Sequence, residues 1–521
     1  MRLLRSIPVP SLLAILLLAG PGLAQTPASA SPPGPSSAQA PSFDPAAVDR
    51  LAEATLKRWG LAGLALAVVD HDRVVVLRGY GTRGLSGGGA VGPDTLFQIG
   101  STTKAFTTTL LALLVDEKKL RWDDPVRDHL ESFRLSDPCA DALVTLRDLV
   151  SHRTGLAEHD ELWDDSPWGR QEVIRRAAFL PLARPFRSRY GYNNIMLMAA
   201  GEAAASAAAL PWETLVRTRI LAPLGMASTR LTDAEWLAAK DRAEGLKLTE
   251  DGRVVPQVLV GNEPLGPAGT VKSTARDLAQ WVRFHLAGGT VDGQRLVSAE
   301  ALDETKMPQT VLRFEGTTRA NNPETNLMSY GMAWVVQDHR GELLVGHSGS
   351  LNGFRARIDL LPKRQVGFVL LTNTGRAPAL VALRNGLVDL LLDGKESRDW
   401  NAYYLDLEAK GKARSEARKR EAEASRPKGT APSHDVPAYA GAYANRSHGT
   451  MTVTAEDGKL VLTWNRMKGP LVHQVFDAFL WRVGEPDNLE ETVQFTLDAR
   501  GSIEALKVFD LVMARAPETK R

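Results

Sequence analysis

The sequence predicts an α+β fold: an antiparallel sheet flanked by helices, beside an all-helical region, followed by a small all-β barrel-like domain. Three observations predict it. Valine-rich strand-like runs stand near the start, at 64–69 and 73–77, and others return far downstream, at 343–345, 355–360 and 366–371. Helical periodicity fills the space between them, so the sheet must be closed by strands distant in sequence. Beyond residue 437 the texture becomes short strands separated by turn dipeptides.

Taken in order, Arg2 and Arg5 precede an apolar stretch centred on 11–19, which ends in the small residues Gly22 and Ala24. This pattern predicts a secretory signal peptide over 1–24 and gives an apolar run too short to span a bilayer. Residues 25–45 are rich in Pro, Ser and Ala and read as a disordered tether. The runs at 64–69 and 73–77 flank His71-Asp72 and predict a hairpin. Helices are predicted over 105–120, 146–150, 173–178 and 195–208 from their apolar spacing. The main unit is placed at 46–400. Residues 401–436 form a charged linker, helical over 405–426 and broken by the prolines from Pro427. In the β-rich segment, 437–521, Asp457-Gly458 and Arg500-Gly501 separate paired strand-like runs.

Composition excludes several function classes. The chain has 521 residues, with Lys plus Arg at 63 and Asp plus Glu at 61. That balance gives no electrostatic footprint for nucleic acid. A single cysteine, Cys139, rules out an internal disulfide framework and a Cys-rich metal site. There is no H-E-x-x-H, and the histidines are scattered, so no catalytic zinc is expected. Gly79-Tyr80-Gly81-Thr82-Arg83-Gly84 spells a dinucleotide fingerprint, but the glycine-rich stretch after it cannot open the required helix. Gly84-Leu85-Ser86-Gly87-Gly88 spells a nucleophile elbow, yet lacks the strand–turn–helix setting an elbow needs.

The pattern that carries chemistry is Ser101-Thr102-Thr103-Lys104, an S-x-x-K that follows Gly100 and opens a long apolar helix. Residues three apart share a helix face, about 5–6 Å apart at Cβ. A serine hydroxyl is a weak nucleophile and needs a base within hydrogen-bond reach; a desolvated lysine can supply one. Alone the motif is also what a helix-capping serine beside a surface lysine looks like. Phe97-Gln98-Ile99, Tyr192-Asn193-Asn194 and His347-Ser348-Gly349-Ser350 supply the missing context.

In this order, these motifs resemble the serine β-lactamase and penicillin-binding-protein superfamily. The Tyr-x-Asn element is similar to its class C branch, with relatives among D,D-carboxypeptidases, D-aminopeptidases and esterases. The resemblance runs from about Val48 to Leu392. Further matching pieces are 146–156, Pro267-Ala268-Gly269, 273–279 and 330–334. The β-rich segment resembles a lipocalin-like domain attached to such hydrolases, on Tyr439-Ala440-Gly441-Ala442-Tyr443 and 476–479. A small barrel of this kind is expected to fill its own interior with side chains.

The resemblance implies roles. Ser101 is the acylated nucleophile, and Lys104 and Tyr192 share its proton, the order between them left open. Tyr190 competes with Tyr192 for that role. A phenol with an ordinary pKa of about 10 needs cationic neighbours to act as a base, and Lys104 is one candidate. Asn194 bonds Lys104 and the substrate amide. The backbone N–H groups of Ser101 and Ser350 form an oxyanion hole, with His347, Ser348 and Gly349 on the substrate-binding strand. His347 is a departure, because β-lactamases of this branch carry lysine there. A histidine is only partly protonated near neutral pH and grips a carboxylate less firmly. Arg355 and Arg357 read first as outward-facing strand charges, and second as a carboxylate site. The function implied is an exported serine hydrolase cleaving ester or amide bonds, for which no metal or organic cofactor is expected. The alternatives are a class C-type β-lactamase or a penicillin-binding module that acylates without turnover. The expected partner is a small ester, peptide or β-lactam, with no nucleic acid and no stable membrane span, in the bacterial periplasm or exterior.

Overall fold

Asp44 caps the first helix by accepting a hydrogen bond from the Ala46 backbone N–H, with Pro45 in the first helical turn. That combination suits a helix start, because proline lacks the N–H that would otherwise go unpaired there. The resulting helix α1 (Pro45–Trp59) ends at Gly60 in the left-handed conformation. The computed structural model describes residues 43–517, apart from 86–87, 165, 250–251, 260 and 485–488. The expected signal peptide and all but the end of the tether lie outside the described residues.

The sheet is built from both ends of the main unit. Its strands in chain order are β1 (Gly63–Asp70), β2 (Arg73–Gly81), β3 (Thr310–Val311), β4 (Met328–Tyr330), β5 (Val335–His339), β6 (Glu342–Leu351), β7 (Phe354–Leu361) and β8 (Val366–Thr372). They lie side by side as β2–β1–β8–β7–β6–β5–β4–β3, every pair antiparallel. The pairing of β1 with β8, Leu64 opposite Thr372 through Asp70 opposite Val366, is the sequence-distant closure the pattern required.

Strand β1 is buried along its whole length. Leu64, Leu66 and Val68 face one core with α1 and the helix Ala377–Asp393, while Ala65, Ala67 and Val69 face the other. A strand covered on both faces reads as a continuous apolar run, as this one does. Four further helices take labels: α2 (Lys104–Asp116), α3 (Asn194–Ala208), α4 (Ala275–Leu286) and α5 (Ala377–Asp393). Helix α4 packs on β1 and β8. The helical region centres on α2 and α3, which are apolar nearly all round and correspondingly buried. Phe106 of α2 stacks on Trp281 of α4, ring centroids 4.0 Å apart, joining the helical region to the sheet.

Helix α6 (Trp400–Ser425) occupies the charged segment. It is solvated only beyond its start, since Trp400, Asn401 and Tyr404 are buried against α1 and α5. An eight-stranded closed barrel follows, β9 (Gly441–Asn445), β10 (Gly449–Glu456), β11 (Lys459–Trp464), β12 (Met467–Val475), β13 (Ala478–Arg482), β14 (Glu490–Leu497), β15 (Ile503–Val508) and β16 (Leu511–Arg515). Its interior is filled by large side chains, Tyr439, Tyr443, Trp464, Trp481 and Phe495 among them. Among the described residues, no single helix is long and apolar enough to cross a membrane.

Candidate active site

The short antiparallel pair Phe97–Gln98 with Lys272–Ser273 delivers the chain into a tight 3-10 turn, Gly100–Thr103, that runs directly into α2. Ser101 sits on this turn. Gly100 has φ +51°, and a Cβ there would lie 2.6 Å from the Ser350 backbone N. A Cβ on Gly349 would lie 1.8 Å from the Ile99 carbonyl oxygen and 3.1 Å from the Ser101 backbone N. Both glycines are therefore required for β6 to lie against the turn, which sets the Ser101 and Ser350 backbone amides across one narrow gap.

Lys104 is fully buried, and its Nζ meets three oxygens: Ser101 Oγ at 3.0 Å, Asn194 Oδ1 at 2.7 Å and the Ala268 carbonyl at 2.7 Å. Burial pushes its pKa down to about 7, against the opposing pull of Asp160 and Glu158. In the amine form, two N–H groups serve Asn194 and Ala268, and the lone pair faces the Ser101 hydroxyl. The Ala268 carbonyl is held by its own supports. Thr107 donates to the Pro267 carbonyl at 2.7 Å, and Pro267 packs so closely on Gly201 that a Cβ there would lie 2.2 Å from its Cγ. The glycine that closes the Tyr192-to-Gly201 span is thus a contact for the Pro267-Ala268-Gly269 turn.

The adjacent asparagines divide their work. Asn193 caps α3, its side chain accepting from the Met196 N–H at 3.0 Å. Asn194 turns inward, and its Nδ2 donates to Asp160 Oδ1 at 3.0 Å, which leaves its oxygen for Lys104. Tyr192 donates its phenol to Ser101 Oγ at 2.7 Å, and its ring lies 4.8 Å from Lys104 Nζ. Tyr190 makes no such contact; its ring packs on His152 and Tyr330. Burial raises the Tyr192 pKa, so the expected phenolate-stabilising influence of Lys104 does not prevail. The phenol donates its hydrogen bond to Ser101 Oγ, and burial lowers the pKa of Lys104 while raising that of Tyr192.

His347 is also placed differently from expectation. It is buried, its Nδ1 lies 2.6 Å from the Ser348 carbonyl, and its Nε2 lies 3.0 Å from the Tyr330 hydroxyl. A carbonyl can only accept, so Nδ1 carries the proton and Nε2 accepts from Tyr330. Burial, reinforced by Lys104, pushes its pKa down to about 3, so it is neutral rather than partly charged. The expectation of outward-facing charges at Arg355 and Arg357 is corrected as well. Arg357 folds back onto Asp359, Nε to Oδ2 2.5 Å, and Arg355 donates to the Ser350 hydroxyl. Both line the cavity of about 460 Å³ that contains Ser101, Tyr192 and His347. β6 and β7 lie at the centre of the sheet, and both guanidiniums are partly rather than fully exposed there.

Sequence reasoning missed Asp160, which orients Asn194, and His152, whose ring lies 4.4 Å from that of Tyr192. His152 lay in a quoted motif without a role. Asp160 stands outside every motif, and only folding brings it to Asn194.

The fold and this site define a class, that of the serine β-lactamases and penicillin-binding proteins. The chain belongs to the beta-lactamase family, whose profile matches residues 48–393. Residues 425–519 match a domain family of unknown function, DUF3471. The chain is similar to the unguisins hydrolase ungD' of Aspergillus campestris, 32% identical over 376 residues, 68% of this chain and 67% of that protein. It is also similar to the unguisins hydrolase ungD of Aspergillus violaceofuscus, 30% identical over 435 residues, 78% of this chain and 76% of that one. Among solved structures, the octameric penicillin-binding protein homologue from Pyrococcus abyssi superposes with a TM-score of 0.59 at 20% identity. That match covers 90% of this chain and 99% of the other.

Proposed function

We propose that this protein is an exported serine hydrolase that cleaves ester or amide bonds through a covalent acyl-enzyme on Ser101. The observation that carries the reading is that one hydroxyl oxygen, Ser101 Oγ, lies within hydrogen-bond distance of both Lys104 Nζ and the Tyr192 phenol. Lys104 as a free amine takes the Ser101 proton while Oγ bonds to the substrate carbonyl carbon. The charge that develops on the carbonyl oxygen faces the Ser101 and Ser350 amides; such a donor typically contributes on the order of 10²–10³ in rate. Tyr192 passes its proton to the leaving alcohol or amine and recovers one from Lys104, so the C–O or C–N bond breaks with protons balanced. Water then attacks the Ser101 ester, its proton returns through the same pair, and the acid product leaves.

The neutral His347 supports esters and peptide-like amides over a true β-lactamase, because no fixed cation stands at that position to hold a carboxylate. The names of the two Aspergillus relatives support hydrolysis. Export rests on the leader pattern of residues 1–24 and is tested by fractionating cells that express the full chain.

The deciding experiment offers the protein p-nitrophenyl esters, D-amino-acid amides and a chromogenic cephalosporin, with intact-mass analysis after each. Ester or amide turnover that vanishes in Ser101→Ala, with only transient mass gain, is the expected result. A long-lived β-lactam adduct without turnover would make the protein a penicillin-binding module, and rapid cephalosporin release a β-lactamase. Full ester activity in Ser101→Ala would falsify the assignment.

A further inference from the structure

The barrel meets the catalytic unit beside the loop that carries Asp160, and three metal-ligating side chains converge there. His159 and Glu161 come from that loop, and His448 comes from the turn between β9 and β10. Their donor atoms all lie within 4.8 Å of one another, the one such group among the described residues. Glu161 Oε1 lies 2.9 Å from His159 Nδ1 and 2.9 Å from His448 Nε2. Two imidazoles thus point their ring nitrogens at one carboxylate oxygen.

We propose that His159, Glu161 and His448 form a binding site for a divalent transition metal, zinc by preference, which ties the barrel to the catalytic unit. Two histidines and one carboxylate are a ligand set suited to such an ion, with nitrogen at about 2.0–2.1 Å and oxygen at about 2.0–2.2 Å. Donors around a tetrahedral ion of those bond lengths stand about 3.3 Å apart. Glu161 therefore needs to draw back by only a few tenths of an ångström from each imidazole, while the imidazole nitrogens close on the ion. The ion replaces the two ring protons that otherwise bond the carboxylate. Three protein ligands leave a fourth position for water.

The surroundings are built rather than incidental. The His448 side chain is fully buried, and its ring lies against Trp464 and Phe509, centroids 5.4 and 6.1 Å away. Its other nitrogen, Nδ1, is 2.8 Å from Ser447 Oγ, an outer contact of the kind that fixes which nitrogen faces a metal. His159 is held at φ +126°, a backbone region that costs a side-chain-bearing residue of order 1–3 kcal/mol. A glycine would relieve that strain, so a histidine there implies a use for its ring. The ion would connect two units that otherwise touch through contacts such as Arg176 Nη1 to the Ser447 carbonyl at 2.9 Å and the Trp168–Trp464 ring pair.

The test uses the full, tag-free chain after dialysis against a chelator. Calorimetric titration with ZnCl2 should give one site with a dissociation constant of about 1 μM or below. CoCl2 should produce visible absorption bands that added Zn²⁺ removes. His159→Gln and Glu161→Gln should each weaken zinc binding by about 100-fold or more while keeping the wild-type circular dichroism. Because a variant can fail to fold, bound Cu²⁺ in the unaltered chain supplies an independent reading: its electron paramagnetic resonance should show hyperfine coupling from two imidazole nitrogens. No zinc binding, equal affinity in both folded variants, or a Cu²⁺ spectrum without two nitrogens would each overturn the site.

Discussion

The Tyr192 hydroxyl lies 2.7 Å from Ser101 Oγ on one side, while Lys104 Nζ approaches the same oxygen at 3.0 Å on the other. The two neighbours are not equivalent. Burial acts on both, but it makes the lysine easier to deprotonate and the phenol harder. The mechanism proposed above, with protons moving from Ser101 to Lys104 and from Tyr192 to the leaving group, leads to distinct predictions.

Activity on a neutral ester should depend on Lys104 as the amine. With its pKa near 7, kcat/KM rises with pH through a midpoint near 7 and levels above it. A stopped assay across buffers of constant ionic strength measures this. A midpoint near 4 would assign the limb to a carboxylate and remove Lys104 as the base.

Lys104→Met should abolish turnover and change the pH dependence of stability in a defined direction. The unfolded chain holds a lysine proton up to roughly pH 10, whereas the folded chain releases it near 7. The unfolded state binds more protons in that window, so wild-type stability gains with rising pH and the penalty is full below about 7. The Tm of Lys104→Met relative to wild type should therefore be most favourable at pH 6 and decline towards roughly pH 10. A pH-independent difference in thermal melts would contradict it.

Tyr192→Phe keeps the ring that packs on His152 and removes only the proton donor. The expected loss in kcat is about 10²–10³-fold, with little change in KM. Steady-state kinetics on an ester with a good leaving group should show a smaller loss than on an amide, since the alcohol leaves without full proton assistance. Equal losses on both substrates would place Tyr192 elsewhere in the cycle.

His347→Lys places a cation where a neutral ring now accepts from Tyr330. For a substrate bearing a carboxylate, KM should fall about tenfold relative to its uncharged isostere, the equivalent of about 1.4 kcal/mol. β-Lactam turnover should rise relative to ester cleavage. Unchanged ratios in a paired-substrate assay would remove this position from specificity.

Gly349→Ala forces a Cβ to within 1.8 Å of the Ile99 carbonyl unless β6 moves off the catalytic turn. A shift of that strand displaces the Ser350 amide, so kcat should fall by about 10²-fold or more. Acylation by a β-lactam, followed by mass, should slow in parallel. An alanine variant with wild-type kinetics would show that the two amides are not a working pair.

Much of this site was legible because local chemistry and local structure coincide. Ser101 and Lys104 share a turn, Tyr192 precedes a helix start, and His347 lies on a strand, so their letters stay close to their geometry. Charge state was less legible. Whether His347 is neutral depends on Tyr330 and on burial supplied by distant strands. Arg357 looked solvated because the cover from α5 comes from tertiary packing, although its partner Asp359 stands only two residues along the same strand. In the barrel, the hairpins at Asp457-Gly458 and Arg500-Gly501 announced themselves. Strand β12 did not, because Gly469 and Pro470 lie within it. Gly469 is there because β13 approaches so closely that a Cβ would lie 1.8 Å from the Arg482 carbonyl oxygen, and spacing of apolar residues carries no sign of such an approach.

Helix α6 leaves the catalytic unit as a rod of 26 residues, about 39 Å at 1.5 Å per residue, anchored along its first turns from Trp400 to Glu408, which pairs with Arg376, and exposed from Gly411 onward. It leashes the barrel, and a leashed partner behaves as if present at millimolar local concentration. Docking contacts too weak to hold a free barrel therefore suffice while the leash is intact. A protease that nicks the exposed stretch near Arg418 would cut that leash and leave the barrel held by its docking contacts, Arg176 to the Ser447 carbonyl among them.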